Sequence, residues 1–421
     1  MLRMLLPLTL WLGLTLTAAG ENWPAWRGPQ ANGHSRERGL PVKWSREENV
    51  RWKVKLPGPG NSTPAIWGDR LFLTQALDRD GHQRALLCFD RKSGKELWRQ
   101  VTEFKGKEST HRDNPYCSAS PVTDGERVIA SFGSAGVVCS DFAGKLLWRR
   151  DLGTFEHIWG NAASPVLYGD LVILNCGPGE RTFLIALDKR TGRDVWKVDE
   201  PGGLFGHKSS EWIGSWSTPA VVTVNGRDEL VMTWPHAVKA YNPRTGELLW
   251  TCQGLTRLVY TSPVVTPEVV IAMSGFHGSA LAVRPGGQGT VTETHRLWHH
   301  SERQPQRIGS GVIVGDHFYM ANAGPGTVQC FDWKTGKLRW QERLGDACWG
   351  SLVCAEGKLY VTDLAGETFI FKPNPEKLEL VGRNHLRERT MASIAVGDGE
   401  LYIRTHDHLW CIGNPPAGVG K

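Results

Sequence analysis

A single phrase recurs down this chain at intervals of about fifty residues: an apolar strand, an Asp or Asn, a tight turn closing on Gly, then Trp. It reads Leu87-Cys88-Phe89-Asp90…Ser93-Gly94-Lys95…Trp98 and Ala186-Leu187-Asp188…Thr191-Gly192-Arg193…Trp196. It returns as Ala240-Tyr241-Asn242…Thr245-Gly246-Glu247…Trp250 and Cys330-Phe331-Asp332…Thr335-Gly336-Lys337…Trp340, with a shorter copy at Cys139-Ser140-Asp141…Gly144-Lys145…Trp148. Period-2 patterning or a short β-rich run flanks each turn, so the unit is a hairpin. The Asp side chain accepts from backbone N–H groups in the turn, and Gly takes the positive φ that a Cβ penalises. The Trp is then expected on an outer strand, filling the wedge between its own small sheet and the next.

A second element confirms the period. Small residues, often followed by Pro, open a strand at Ser62-Thr63-Pro64, Ser118-Ala119-Ser120-Pro121, Ala163-Ser164-Pro165 and Ser217-Thr218-Pro219. They recur at Thr261-Ser262-Pro263, Gly309-Ser310-Gly311, Gly350-Ser351-Leu352 and Ala392-Ser393-Ile394, about eight copies in all. Small side chains suit the crowded centre of a ring. Four short strands per repeat predict an all-β, eight-bladed β-propeller of four-stranded antiparallel blades. Val50-Arg51-Trp52-Lys53-Val54 precedes the first repeat, while the last ends at Leu409-Trp410-Cys411-Ile412, so the N-terminal strand is expected to complete the final blade. Two turns are degenerate: Arg284-Pro285-Gly286-Gly287-Gln288-Gly289 before Trp298, and Lys372-Pro373-Asn374-Pro375 before Leu378.

Arg3, the apolar run from Leu5 to Leu12 and the small residues Thr17-Ala18-Ala19-Gly20 predict a secretory signal over residues 1–20, cleaved near Ala19 or Gly20. That segment is too short to span a bilayer as a helix, and no Cys follows it for a lipid anchor. Residues 21–421 are then one propeller domain, periplasmic or secreted. The net charge of +6 is mild, and basic residues alternate with acidic ones, which gives no groove for nucleic acid. Nine Cys is odd for an exported chain. Cys88, Cys139, Cys330 and Cys411 occupy equivalent third strands of separate blades, too far apart to pair, so buried unreactive thiols are expected.

Motifs for covalent haem, nucleotide phosphates, zinc proteolysis and a serine nucleophile elbow are missing. Asp78-Arg79-Asp80-Gly81 reads as a hairpin turn in preference to a calcium loop. His406-Asp407-His408 places two imidazoles at i and i+2, with no third ligand in view. Chemistry is expected in the loops that enter the innermost strands, which converge on the central channel. They carry His111, Asn114 and Tyr116; His157, Trp159 and Asn161; His207, Glu211, Trp212 and Trp216; Arg257 and Tyr260; Arg307; Trp349; and Arg387 and Arg389. Such a ring of aromatics, imidazoles and guanidiniums would meet a polar ligand or a peptide, or else the aromatics wedge the blades apart and the rest face solvent.

The Asp, Thr-Gly-Lys and Trp repeat resembles that of the pyrroloquinoline quinone (PQQ) propeller superfamily, which includes quinoprotein alcohol dehydrogenases and the outer-membrane assembly lipoprotein BamB. Trp23-Pro24-Ala25-Trp26-Arg27-Gly28-Pro29 is similar to the start of many exported PQQ-like propellers. The resemblance covers nearly the whole mature chain and implies fold more than activity. A dehydrogenase of that family would hold PQQ between a Trp and an adjacent-cysteine disulfide, with Ca²⁺ on Glu and Asn. Asn161, Glu211, Trp212, Arg307 and Trp349 are the candidate cofactor contacts, but this chain has no two adjacent cysteines. No catalytic residue or metal ligand is assigned. The first reading is therefore a non-catalytic binding or scaffold propeller for a protein, peptide or glycan. The second is a PQQ- and Ca²⁺-dependent oxidoreductase with an altered cofactor site.

Overall fold

The computed structural model describes residues 20–201 and 212–415. The expected signal segment, apart from Gly20, and the loop candidates His207 and Glu211 lie outside them. Eight four-stranded sheets form a closed ring. Blades 1 to 7 occupy 65–103, 122–150, 166–200, 220–253, 264–300, 312–343 and 353–385, each running from the channel outward. Blade 8 takes three strands, Ala395–Gly397, Glu400–Arg404 and His408–Gly413, from the far end of the chain. Its fourth strand is Val50–Lys55, antiparallel to His408–Gly413 with Trp52 opposite Cys411. The predicted closure is thus observed.

The outer-strand indoles lie between blades, as their pattern predicts. Trp52, Trp98, Trp148, Trp196, Trp298 and Trp340 each donate Nε1–H to a backbone carbonyl in the third-to-fourth-strand turn of the next blade, at 2.8–3.0 Å. The turn glycine explains why the two motifs travel together. Gly246 has φ +75°, and a Cβ there would lie 2.7 Å from the Trp196 ring. Glycine is therefore needed both for its backbone conformation and for the approach of the indole. Trp250 differs because the turn that should receive it is the degenerate 284–289 loop. Its Nε1 turns to the buried Glu229 carboxylate at 2.8 Å, and Gly289–Thr290 adds a parallel strand beside Trp250–Thr251.

The small-residue strand starts form a second ring, around the channel. In blade order, the backbone N–H groups of Thr63, Ser120, Ser164, Thr218, Ser262, Ser310 and Ser351 each donate to the hydroxyl of the corresponding residue one blade on, ending at Ser393. These bonds span 2.8–3.0 Å. The circle is open between Ser393 and Thr63, whose hydroxyl is buried without a partner. Arg404 bridges that seam. Fully buried in blade 8, it donates to the Ser62 hydroxyl at 2.5 Å, the Thr74 carbonyl at 2.9 Å and Gln75 Oε1 at 2.6 Å, all from blade 1.

The segment before the first strand crosses the ring. Trp23 pairs with Ile66 of blade 1, and the Pro24 carbonyl accepts from Thr123 of blade 2. Arg27 donates to the carbonyls of Ser310 and Gly311 in blade 6, at 3.0 and 2.6 Å. His34–Ser35 then runs parallel to the innermost strand of blade 7. Blades 2 and 6 are diametrically opposite in a ring of eight, so this segment closes one end of the channel.

All nine cysteines are free and buried. Burial pushes the Cys88 and Cys139 thiols up to about 12, and those of Cys252, Cys330 and Cys354 up to about 11.

Candidate functional site: a central channel closed at one end

The channel encloses a cavity of about 190 Å³. Its floor is Trp26, from the crossing segment. Six of the strand-start hydroxyls form the throat, on Ser120, Ser164, Thr218, Ser262, Ser351 and Ser393. Aromatic rings surround the mouth: Trp159, Trp216, Tyr260, Phe276 and Trp349. Strand geometry places them there, because each blade's innermost strand starts at the mouth and the loop that feeds it overhangs the lumen.

The rings brace one another in a row. Trp216 meets Tyr260 edge-on at 5.1 Å between centroids and His157 at 4.8 Å, while its Nε1 donates to the Gly160 carbonyl at 2.8 Å. Trp159 lies 4.0 Å from His111 and meets Trp212 edge-on at 6.4 Å. Burial pushes the His157 imidazolium down to about 4, which keeps that support neutral. Phe276 is 54% exposed at the mouth, so an apolar ring faces solvent where a ligand would enter. Asp113 is the one charged side chain among the described lining, and Arg389 pairs with it at 3.1 Å.

The sequence candidates divide. Trp349 lines the channel, and Trp212 backs Trp159. Asn161 sits in a separate, smaller pocket of about 30 Å³. There its amide donates to the buried Glu108 carboxylate at 2.6 Å, which also binds Arg84 at 2.5 Å and the Ser134 N–H at 2.9 Å. Arg307 is fully buried outside the channel lining, with Gln304 at 3.1 Å and Gln329 at 3.3 Å, and burial pushes it down to about 10. His406 and His408 do not form a pair: His408 Nδ1 meets Glu388 at 2.9 Å, while His406 Nε2 is buried without a partner. Sequence reasoning missed Trp26, Asn61, Phe276, Gln306 and Met391 as lining residues, and Glu108 as a buried carboxylate. The aromatic-rich Trp23–Pro29 stretch was the available signal for Trp26.

The described residues do not fit PQQ with Ca²⁺. PQQ carries three carboxylates, and the described lining offers no Lys or Arg. The cysteines are free and none is adjacent to another. Among the described residues, no group of three or more His, Cys, Asp or Glu is placed to hold a metal ion.

The family model described as Outer membrane protein assembly factor BamB matches the chain in overlapping stretches, 36–174, 82–275 and 236–374. The chain belongs to this family of PQQ-like propellers. Among curated proteins it is 25% identical over 271 residues to a polyvinylalcohol dehydrogenase of Sphingopyxis sp. (strain 113P3), covering 56% of this chain and 40% of that one. A polyvinylalcohol dehydrogenase of Pseudomonas sp is 23% identical over 266 residues, covering 55% and 40%. The matched region thus spans well under half the length of these relatives. Among solved structures, BamB from Moraxella catarrhalis superposes with a TM-score of 0.63 at 14% identity, covering 88% of this chain and 99% of that one. Quinohemoprotein alcohol dehydrogenase from Comamonas testosteroni gives 0.69 at 12% identity, covering 95% and 82%. At these identities the likeness is one of fold.

Proposed function

We propose that this protein is an exported, non-catalytic propeller that binds a protein, peptide or glycan in its closed-ended channel and over the surrounding loops. Residues 21–421 form the mature domain in this reading, and the compartment is periplasmic or extracellular. The observation that carries it is the character of the channel wall: aromatic rings, amides and hydroxyls, with no cationic side chain among the described lining. Such a wall suits recognition, whereas a tricarboxylate cofactor demands its own binding groups. The names of the curated relatives favour a second reading, a PQQ-dependent oxidoreductase acting on alcohols.

Purified protein incubated with PQQ and Ca²⁺ separates the two. Dye-coupled oxidation of primary alcohols and of polyvinyl alcohol is expected to stay at background, and PQQ is expected to pass through a desalting column unretained. Turnover that disappears in Glu211→Ala or Trp212→Ala would establish the dehydrogenase instead.

A further inference from the structure

The strand-start hydroxyls do more than link the blades. The hydroxyls of Ser120, Ser164, Thr218, Ser262, Ser351 and Ser393 each accept one backbone N–H, yet none donates to an acceptor among the described residues. All six line the cavity. Ser310 provides the contrast: its hydroxyl donates to the Ser262 carbonyl at 3.1 Å, and it does not line the cavity. Among the seven strand-start hydroxyls that accept an N–H of the ring, the six with an unspent O–H are therefore the six that line the lumen. The same wall holds a buried donor and a buried acceptor without protein partners, Trp159 Nε1 and Asn61 Oδ1. The Asn61 amide is oriented by its Nδ2 bond to the Asp113 carbonyl at 3.0 Å, so its oxygen is the atom left for a ligand.

We propose that the channel binds a neutral polyhydroxylated molecule, a sugar chain or polyol, through its hydroxyl throat and aromatic mouth. Several alternatives fail on the same wall. A hydrocarbon would leave the O–H groups, the indole N–H and the Asn61 oxygen unpaired in a dry site. An anion would find no cation in the described lining and would face Asp113. A cation would find that carboxylate already held by Arg389. A polyol gives and accepts hydrogen bonds with no net charge, so it satisfies both kinds of orphan. Its C–H faces pack on rings such as Trp349 and Phe276, which supply large apolar area at low cost in side-chain freedom. This inference rests on the binding reading above and names its ligand.

The test is a titration of the full mature chain, read by tryptophan emission and by calorimetry. Neutral probes are maltohexaose, cellohexaose and a polyvinyl alcohol oligomer; comparison probes are an oligogalacturonate of similar length, hexa-alanine, and PQQ with Ca²⁺. Saturable binding of at least one neutral probe is expected, with an oligosaccharide or the synthetic polyol preferred according to which source the site takes. Trp349→Ala should weaken that binding by roughly tenfold or more, as for removal of an aromatic anchor. Phe276→Ala serves where Trp349→Ala does not fold, since its exposed ring carries little packing. Equal or tighter binding of the oligogalacturonate would overturn the neutral-ligand proposal. Binding of hexa-alanine alone would also overturn it while leaving the binding reading intact. Alcohol turnover with PQQ would overturn both. Failure of all neutral probes at millimolar concentration sinks the proposal.

Discussion

The indole Nε1 of Trp196 donates to the Pro243 carbonyl at 3.0 Å, joining the outer strand of blade 3 to the third-to-fourth-strand turn of blade 4. The ring is 8% exposed and rests on Gly246, so a single side chain closes the wedge between two sheets. Trp196→Ala is expected to cost about 3–5 kcal/mol, the range for deleting a buried aromatic. Gly246→Ala should destabilise by more than the usual fraction of a kcal/mol, because it adds a Cβ at positive φ against the indole. Urea unfolding of both variants checks the pair; unchanged midpoints would remove the indole from its docking role.

Arg404 is the test of the seam. Its guanidinium satisfies acceptors on Ser62, Thr74 and Gln75 where the circle of hydroxyl bonds is open. Arg404→Met leaves those acceptors unpaired in a buried site, and a loss of about 3 kcal/mol or more is expected. Amide exchange in Val50–Lys55 should accelerate along with the drop in stability. Normal protection there would mean the strand pairing alone holds the ring shut.

His157 sets a pH dependence. Its imidazolium is pushed down to about 4 by burial, whereas the unfolded chain protonates near 6.5. Between those values the unfolded state binds a proton that the folded state refuses, so stability rises with pH across the window and is lost as pH falls through it. The loss should reach about 1–3 kcal/mol by pH 4, with no contribution above neutrality. Denaturation at pH 7 and pH 4.5 for the parent and His157→Asn reads the difference. Parallel slopes for the two would rule out this residue as the source.

The thiols offer a test of burial. With all nine cysteines inside and their ionisation suppressed, a colorimetric disulfide reagent should report almost no reaction in the native state. All nine should react in denaturant. Rapid reaction of any thiol in the native protein would show that its blade opens.

Much of this architecture was legible because each local signal had one physical use. The Asp, Gly and Trp phrase fixed the hairpins and the wedges, and the displaced Val50–Val54 strand announced how blade 8 closes. The hydroxyl circle was legible only as small strand starts, since nothing local says that Ser120 receives an N–H from a residue 57 positions earlier. The site was read less completely for the same reason. Trp349 lines the channel, but Asn161 turns sideways to Glu108 because a buried carboxylate needs donors, and Arg307 is drawn between two glutamines. Trp26 reaches the floor only through a segment anchored on opposite blades, a relationship invisible to periodicity.

The strand that completes blade 8, Val50–Lys55, leaves the ribosome long before its partner His408–Gly413 is made. Throughout synthesis, Val50–Lys55 has no sheet to join, and the unfinished arc has an open end on each side. Closure of the ring should thus wait for synthesis of His408–Gly413, and products truncated before His408 would present bare strand edges open to pairing with other chains.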